Sequence, residues 1–418
     1  MSQLITPKPK QLITPSSMNR RRFLKLAGAS SLAASLPAVI SGCGSSTGGP
    51  LKIGLLLPFA GNFAQYGNEI SNGIRMYLED EMGSEVAGRT IEFIAEDTEG
   101  NPDIGQQKAR KLVEQDEVDI AMGIVSSGVL MGVRDYFHEA QKLFICCNAG
   151  ANPISRQLKT PYIWRSSFSN WMMGSKMASW AANNVGKRAA LVVADYTAGH
   201  NERDSFIYHF EEAGGTITNT VLVPFPQMGD PAPIIADIAN FDADFFYLFL
   251  PGGAGLSFFQ SASEFGLMDQ IPMYSNNAQT SEDVLAVVGD SAEGLISSWL
   301  WAYLLDNPEN NAYVPKYEEK YGQTPTSFTV QGYDAARIAS IMLERVEGDT
   351  SDVNKMVEAM AGISFDSPRG PFVLDEATQN PRQNWYLRQV VRHTDGLMHN
   401  AVLENLGEVV DPGDDSKG

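Results

Sequence analysis

Cysteine is scarce in this chain, which carries three, at positions 43, 146 and 147. Cys146 and Cys147 are neighbours in an apolar run, a poor geometry for bridging each other, so neither a disulfide framework nor a CxxC metal site is present. Acidic residues are missing altogether before Cys43, although Lys8, Lys10, Arg20, Arg21, Arg22 and Lys25 all lie there. Removing those six leaves 25 basic against 50 acidic residues, a net charge of −25 that repels phosphate and argues against a nucleic-acid partner. Beyond Cys43 no run reaches the roughly 20 consecutive apolar residues of a membrane-spanning helix. Also missing are a GxSxG elbow, HExxH, a Walker A loop and a GxGxxG fingerprint. The five histidines (His138, His200, His209, His393, His399) contain no i, i+4 pair. The expectation is therefore no catalytic set, no metal and no cofactor.

What the first 43 residues do contain is an address. "NRRRFLKLAGASSLAASLPAVISGC" runs from a basic cluster through an apolar stretch, about Phe23 to Ile40, to small residues, the plan of an export signal. "RRRFLK" resembles the twin-arginine signal, with Arg20 and Arg21 as the pair, although general secretory signals also carry such pairs and the route stays open. "VISGC" resembles a lipobox, which implies acylation of Cys43 as the new N-terminus. Residues 1–42 are thus read as a signal peptide, with Met1 or Met18 as the start, and 43–50, containing "GSSTGG", as a flexible tether. The mature chain is expected outside the cytoplasm, in the periplasm or at the cell surface, anchored to a membrane by lipid.

From Lys52 onward, short apolar runs alternate with longer amphipathic ones. "KIGLLLP", "RTIEFIAED", "VDIAMGIV" and "KLFICC" read as strands, separated by helical segments such as "QYGNEISNGIRMYLEDEM", where Ile70, Ile74, Tyr77 and Leu78 fall at helical spacing. A second series starts near Trp171 and includes "RAALVVAD", "GTITNTVLV", "ADFFYLFLP" and "IPMYSN", with a helix expected near Glu202 to Glu212. This alternation predicts an α/β fold of two doubly wound parallel-sheet lobes. Helices near Tyr313–Tyr321 and Thr329–Val346, then strands to the C-terminus, are too few for a third domain, so the helices complete the first lobe and the strands the second.

In open parallel sheets, ligands bind beyond the carboxyl ends of strands, where helix N–H groups face outward. After "AMGIV" come Ser126 and Ser127, a ready carboxylate site or simply a helix cap. After "LFICC" comes Asn148–Asn152, whose backbone N–H groups at Ala149 and Ala151 are candidates, or an ordinary turn. Tyr66 follows the first strand. In the second lobe the equivalent loops hold Asp195–Tyr196, Pro251–Gly255 with Gly253 at the centre, and Asn276–Asn277. Two clusters from two lobes imply a cleft between them.

Together, "KIGLLLPFAGNFAQYGNEISNGIRMYLED", "IEFIAEDTEGNPDIGQQKARKLV", "YIWRSSFSN", "LFLPGGAGLSFFQSASEFGL" and "GDSAEGL" resemble the type I periplasmic solute-binding proteins of ABC transporters, in the Leu/Ile/Val-binding branch. The resemblance implies two lobes joined by three crossings, near Ser169, Ser298 and Ser364. It assigns 51–169 and 299–364 to the first lobe, 170–298 and 365–410 to the second, and 411–418 to a disordered tail. It also makes Tyr66 an aromatic lid residue and places Ser127 and the N–H groups of Ala149 and Ala151 around a ligand carboxylate. Amino-acid-binding members usually carry Thr at the position of Ala151 and an acid at that of Asn277. A ligand without an amine is therefore favoured, because a buried ammonium lacking a carboxylate costs several kcal/mol.

"FLPGGAGLSFFQSASEFGL" and "SPRGPFVLDEATQNPRQNWYLRQV" look like members that bind aromatic acids, for which Phe168, Trp171 and Tyr196 would be flat walls or else core residues. The expected function is capture of a small carboxylate for an ABC permease, by a monomer. The alternatives are binding of a branched-chain amino acid or amide, or service as the input of a sensory receptor. An exported hydrolase lacks a nucleophile–base pair here, and a repressor of similar lobes would need a basic helix-turn-helix.

Overall fold

The computed structural model describes residues 48–415; Cys43 and the leader lie outside the described residues. The first sheet is built from β1 (Leu51–Leu57), β2 (Glu85–Val86), β3 (Arg89–Asp97), β4 (Ile120–Gly123), β5 (Phe144–Cys146) and β6 (Ile163–Arg165), with helices α1 (Ala64–Arg75), α2 (Pro102–Arg110) and α3 (Ser127–Glu139) between them. Helices α4 (Asn170–Asn184), α5 (Thr197–Glu212), α6 (Ala232–Ile238), α7 (Gly252–Glu264) and α8 (Glu282–Val288) alternate with β7 (Arg188–Ala194), β8 (Thr216–Val223), β9 (Phe245–Phe249), β10 (Met273–Ser275) and β11 (Ile296–Trp299). The chain ends with α9 (Pro308–Tyr321), α10 (Ser327–Arg345), α11 (Val353–Met360) and β12 (Ser364–Ser367), β13 (Gly370–Leu374), β14 (Pro381–Arg392) and β15 (Met398–Val409).

The parallel strands of the two sheets have the orders β3-β1-β4-β5-β6 and β8-β7-β9-β10-β11, the same doubly wound pattern repeated. Central strands read as continuous apolar runs because both faces are covered: β1 is buried at all but one position and β9 at all five. Strand order reverses between β1 and β4 and again between β7 and β9, so each lobe opens a crevice at the carboxyl ends of those pairs.

Helix α10 joins the first lobe although it lies far along the chain. A Cβ on Gly73 would sit 1.9 Å from the Thr329 carbonyl oxygen, and one on Gly332 would sit 2.2 Å from that of Ile70. Glycine at both positions lets α1 and α10 meet backbone to backbone, with Ile70, Ile74, Ala335 and Ala339 buried in the common cluster.

The chain passes between lobes after β6, after β11 and before β14. The third passage lies later than the expected Ser364: Phe372 and Leu374 of β13 are buried with Ile363 and Met360 in the first lobe's cluster, and the lobe changes over 375–380. The apolar face of the β12–β13 hairpin needs α10 and α11 to cover it, which holds it on that side although β13 pairs with β14. Residues 411–415 are also not the expected disordered tail. Asp411 is buried, its Oδ1 3.4 Å from Arg156 Nε, and Arg156 Nη1 reaches Asp415 Oδ1 at 2.7 Å, which docks the segment onto the first lobe. Strands β6 and β11 carry no alternation and only three and four residues, too short for a periodic signal. Helix α5 begins at Thr197, earlier than expected, because its polar first turn has no apolar repeat and no capping side chain.

Candidate ligand-binding site

Beyond the two crevices lies a narrow chamber between the lobes. Its lining follows from strand ends: Phe63 and Tyr66 after β1, Val125 and Ser127 after β4, Asn148 and Gly150 after β5, Phe168 and Asn170 after β6. The second lobe adds Tyr196 and Ala198 after β7, Phe249 and Pro251 at β9, Asn276 to Ala278 after β10, and Trp299 at β11. Met173 of α4 and Phe328 of α10 complete it.

The walls are rings. Tyr66 stacks on Phe328 with centroids 3.9 Å apart, Phe168 meets Trp299 edge-on at 5.0 Å, and Tyr196 lies parallel to Phe249 at 6.3 Å. Flat walls of this kind favour a flat apolar guest, since ring pairs add about 0.5–1.5 kcal/mol beyond area burial.

The polar groups are neutral. Asn170 Nδ2 donates to Ser127 Oγ at 3.2 Å, Asn148 Nδ2 donates to Gln331 Oε1 at 2.7 Å, and the Asn170 N–H donates to the Gly150 carbonyl at 2.6 Å. A Cβ on Gly150 would lie 2.2 Å from Asn170 Oδ1, so only glycine allows this approach. Four helices, α3, α4, α5 and α7, start at the chamber; none is capped by the side chain of its own N-cap residue, and none has an acidic residue in its first turn. By contrast α2, α9, α10 and α11 are capped by Asn101, Asn307, Thr326 and Asp352. The first N–H groups of α4 and α7 are taken by Gly150, Asn152, Tyr66 and Asn62, so the preference of this uncharged chamber for an anion rests on the starts of α3 and α5 and on the aligned helix dipoles.

Several hydrogen bonds between the lobes hold them closed around it, these three among them. The Gly252 N–H donates to Tyr66 Oη at 2.8 Å, the Ala254 N–H to Asn62 Oδ1 at 3.2 Å, and Asn277 Nδ2 to Ser327 Oγ at 2.9 Å. Asn277 Oδ1 accepts from Arg388 Nη1 at 3.1 Å, and the buried Arg388 also reaches Thr280 and Ser297 hydroxyls and the Trp301 carbonyl.

Behind Asn276, the fully buried Glu202 accepts from Asn276 Nδ2 at 2.9 Å and from the Tyr247 hydroxyl. Burial pushes its carboxyl up to about 8, against the lowering effect of those two donors. The native state therefore keeps a proton that the unfolded chain releases near its ordinary value, so this group's contribution to stability is complete at low pH. It is lost as pH rises toward 8, at about 1.4 kcal/mol per unit. Glu202→Gln is expected to flatten that part of the pH profile of unfolding, measured by urea denaturation at a series of pH values; an unchanged slope would show that Glu202 is ionised in the fold. Buried Glu69 and Glu282 and half-buried Asp283 are raised in the same direction, mainly by burial, and remain in the variant.

Of the residues singled out from sequence, the chamber gathers Tyr66, Ser127, Phe168, Tyr196 and Asn277. Ser126 and Ala151 are buried beside it without lining it. The Ala149 N–H is engaged by the Ile124 carbonyl at 3.2 Å, because the loop after β5 folds back over the end of β4. Trp171 turns away: its ring packs edge-on against His209 of α5 at 5.0 Å, as the second residue of a helix that presents its other face to the cleft. Gly253 lines a separate outer cleft with Gln65, Glu69 and Asp283. Sequence reasoning missed Phe63, Asn170, Met173, Phe249, Trp299 and Phe328; the rule that sites follow strand ends was a usable signal for Phe249 at the end of "ADFFYLFLP", and for Asn170 and Trp299 once β6 and β11 were known.

The periplasmic binding protein family model matches residues 50–396. Leu/Ile/Val-binding protein homolog 6 of Brucella melitensis is 29% identical over 368 residues, 87% of this chain and 93% of that protein. Among solved structures, a solute-binding protein of an ABC transporter from R. palustris, in complex with benzoate, is 32% identical, with a TM-score of 0.82 over 88% of this chain and all of the other. One from Rhodopseudomonas palustris HaA2, in complex with p-hydroxybenzoic acid, is 30% identical, with a TM-score of 0.81 over 87% and 99% of the two chains. Family members are exported and bind solutes rather than transform them, and among the described residues no helix is long and apolar enough to cross a membrane. A doubled α/β lobe closed on an interlobe chamber, matched along nearly its whole length by proteins of one kind, establishes that this chain belongs to the periplasmic binding protein family and is the solute-binding protein of an ABC transporter.

Proposed function

We propose that the protein captures an aromatic carboxylate of the benzoate type and presents the closed, loaded form to a membrane permease, as a monomer tethered through lipid on Cys43. The observation that carries the ligand class is the chamber itself: ring walls, neutral polar groups at Ser127, Asn148 and Asn170, and the N-terminal ends of α3 and α5. No carboxylate lines it to receive an ammonium, since Asn276 and Asn277 stand there and Glu202 behind them holds its proton near neutral pH. The aromatic acids bound by the similar R. palustris proteins support the same class. The tether rests on the "VISGC" pattern, which lies outside the described residues.

Capture works by population shift. A ligand that touches Ser127 and Tyr66 on one lobe and Tyr196 and Asn277 on the other has differential affinity for the closed state, and only such a ligand shifts the equilibrium. Isothermal titration of the mature protein with benzoate, 4-hydroxybenzoate, leucine and an aliphatic dicarboxylate is the test. An aromatic carboxylate is expected to bind at least tenfold tighter than leucine, about 1.4 kcal/mol or more; preference for the zwitterionic amino acid would overturn the reading.

A further inference from the structure

We propose that His393, Asp395 and His399, at the turn of the β14–β15 hairpin, form a binding site for a transition-metal cation of the zinc class. The turn itself arranges the donors. The His393 N–H donates to the Leu397 carbonyl at 2.9 Å and the Gly396 N–H to the His393 carbonyl at 3.0 Å. Asp395 Oδ1 accepts the Leu397 N–H at 2.8 Å, which fixes the carboxylate and leaves Oδ2 facing both imidazoles. Oδ2 lies 2.9 Å from His399 Nε2 and 3.3 Å from His393 Nδ1.

The three donor atoms all fall within 4.8 Å of one another. Ligands of a tetrahedral zinc, each about 2.0–2.2 Å from the metal, are roughly 3.3 Å apart, so two of the three separations are already near that value. The third closes by rotation of His393, whose side chain is 34% exposed. His399 is the rigid member: it is buried and stacks on Tyr303 at 3.8 Å, and the Tyr303 hydroxyl donates to Glu318 Oε1 at 2.8 Å. Two imidazoles and one carboxylate select zinc, copper or nickel over magnesium or calcium, and the half-exposed Asp395 leaves water access to the remaining coordination position. The i, i+2, i+6 spacing matches no helical metal motif. It works here because a hairpin turn, unlike a helix, folds His393 back beside His399, with ring centroids 5.6 Å apart.

The test uses chelator-treated mature protein without an affinity tag, titrated with zinc chloride by calorimetry and with cobalt chloride by visible absorption. One equivalent of zinc is expected to bind, with magnesium and calcium silent, and His393→Ala is expected to weaken zinc binding about tenfold or more without changing the circular dichroism spectrum. Asp395→Asn is the second variant, expected to lose the cobalt spectrum. Failure of the parent protein to bind zinc, or equal binding by parent and both variants, would overturn the site.

Discussion

Ser127→Asp is expected to abolish capture of an aromatic carboxylate while the protein still folds. Ser127 opens α3 and its Oγ accepts from Asn170 Nδ2, so an aspartate there meets a ready donor and the positive end of a helix dipole. The same charge would stand against the bound carboxylate. Two like charges about 4 Å apart at an effective dielectric near 20 repel by about 4 kcal/mol, roughly a thousandfold in Kd. Ser127→Ala, which removes a donor without adding a charge, is expected to cost only about 1–3 kcal/mol. Calorimetry with benzoate on both variants, with circular dichroism as the fold control, decides the matter. Equal affinity in Ser127→Asp and the parent would remove Ser127 and the start of α3 from the site.

Arg369→Leu is expected to destabilise the protein by about 3–5 kcal/mol, the usual result of leaving one member of a buried ion pair alone. Arg369 Nε lies 2.8 Å from Asp334 Oδ2, and both side chains are fully buried. The pair joins α10 to the β12–β13 turn, where the Ser367 hydroxyl also donates to Asp334 at 2.8 Å. Arg369 further donates to the Ser166 carbonyl, in the first passage between the lobes, so the pair ties α10 and the β12–β13 turn to that crossing. The double variant Asp334→Leu/Arg369→Leu is expected to recover much of the loss, because no isolated buried charge remains. Urea midpoints for the parent, both single variants and the double form a complete cycle. A double variant no more stable than Arg369→Leu would mean that packing, not charge, sets the cost.

The lobes were legible in the chain because buried parallel strands are continuous apolar runs and the helices between them keep an amphipathic period. Tyr66, Ser127, Tyr196 and Asn277 were legible for a related reason: doubly wound sheets bind at strand carboxyl ends, and those ends could be counted along the sequence. Trp171 and Gly253 could not be sorted the same way. The face that a helical residue turns to a cleft depends on how the helix packs, and α4 packs through Trp171 onto His209. Ala149 followed the same limit, since a backbone N–H after a strand is open or engaged according to a neighbouring loop, here Ile124. Phe328 lies far from the other wall residues in sequence and reaches Tyr66 only because Gly73 and Gly332 let α10 press against α1.

By itself, then, the sequence determined the repeated α/β architecture, the acidic body and the strand ends that meet at the chamber, all of which follow from local periodicity, composition and spacing. Only the tertiary structure decided which side chains face the chamber, where the third crossing lies, and that four helix N-termini meet in one place. Those depend on contacts between segments distant in the chain, and no local pattern encodes the angle at which two packed elements meet.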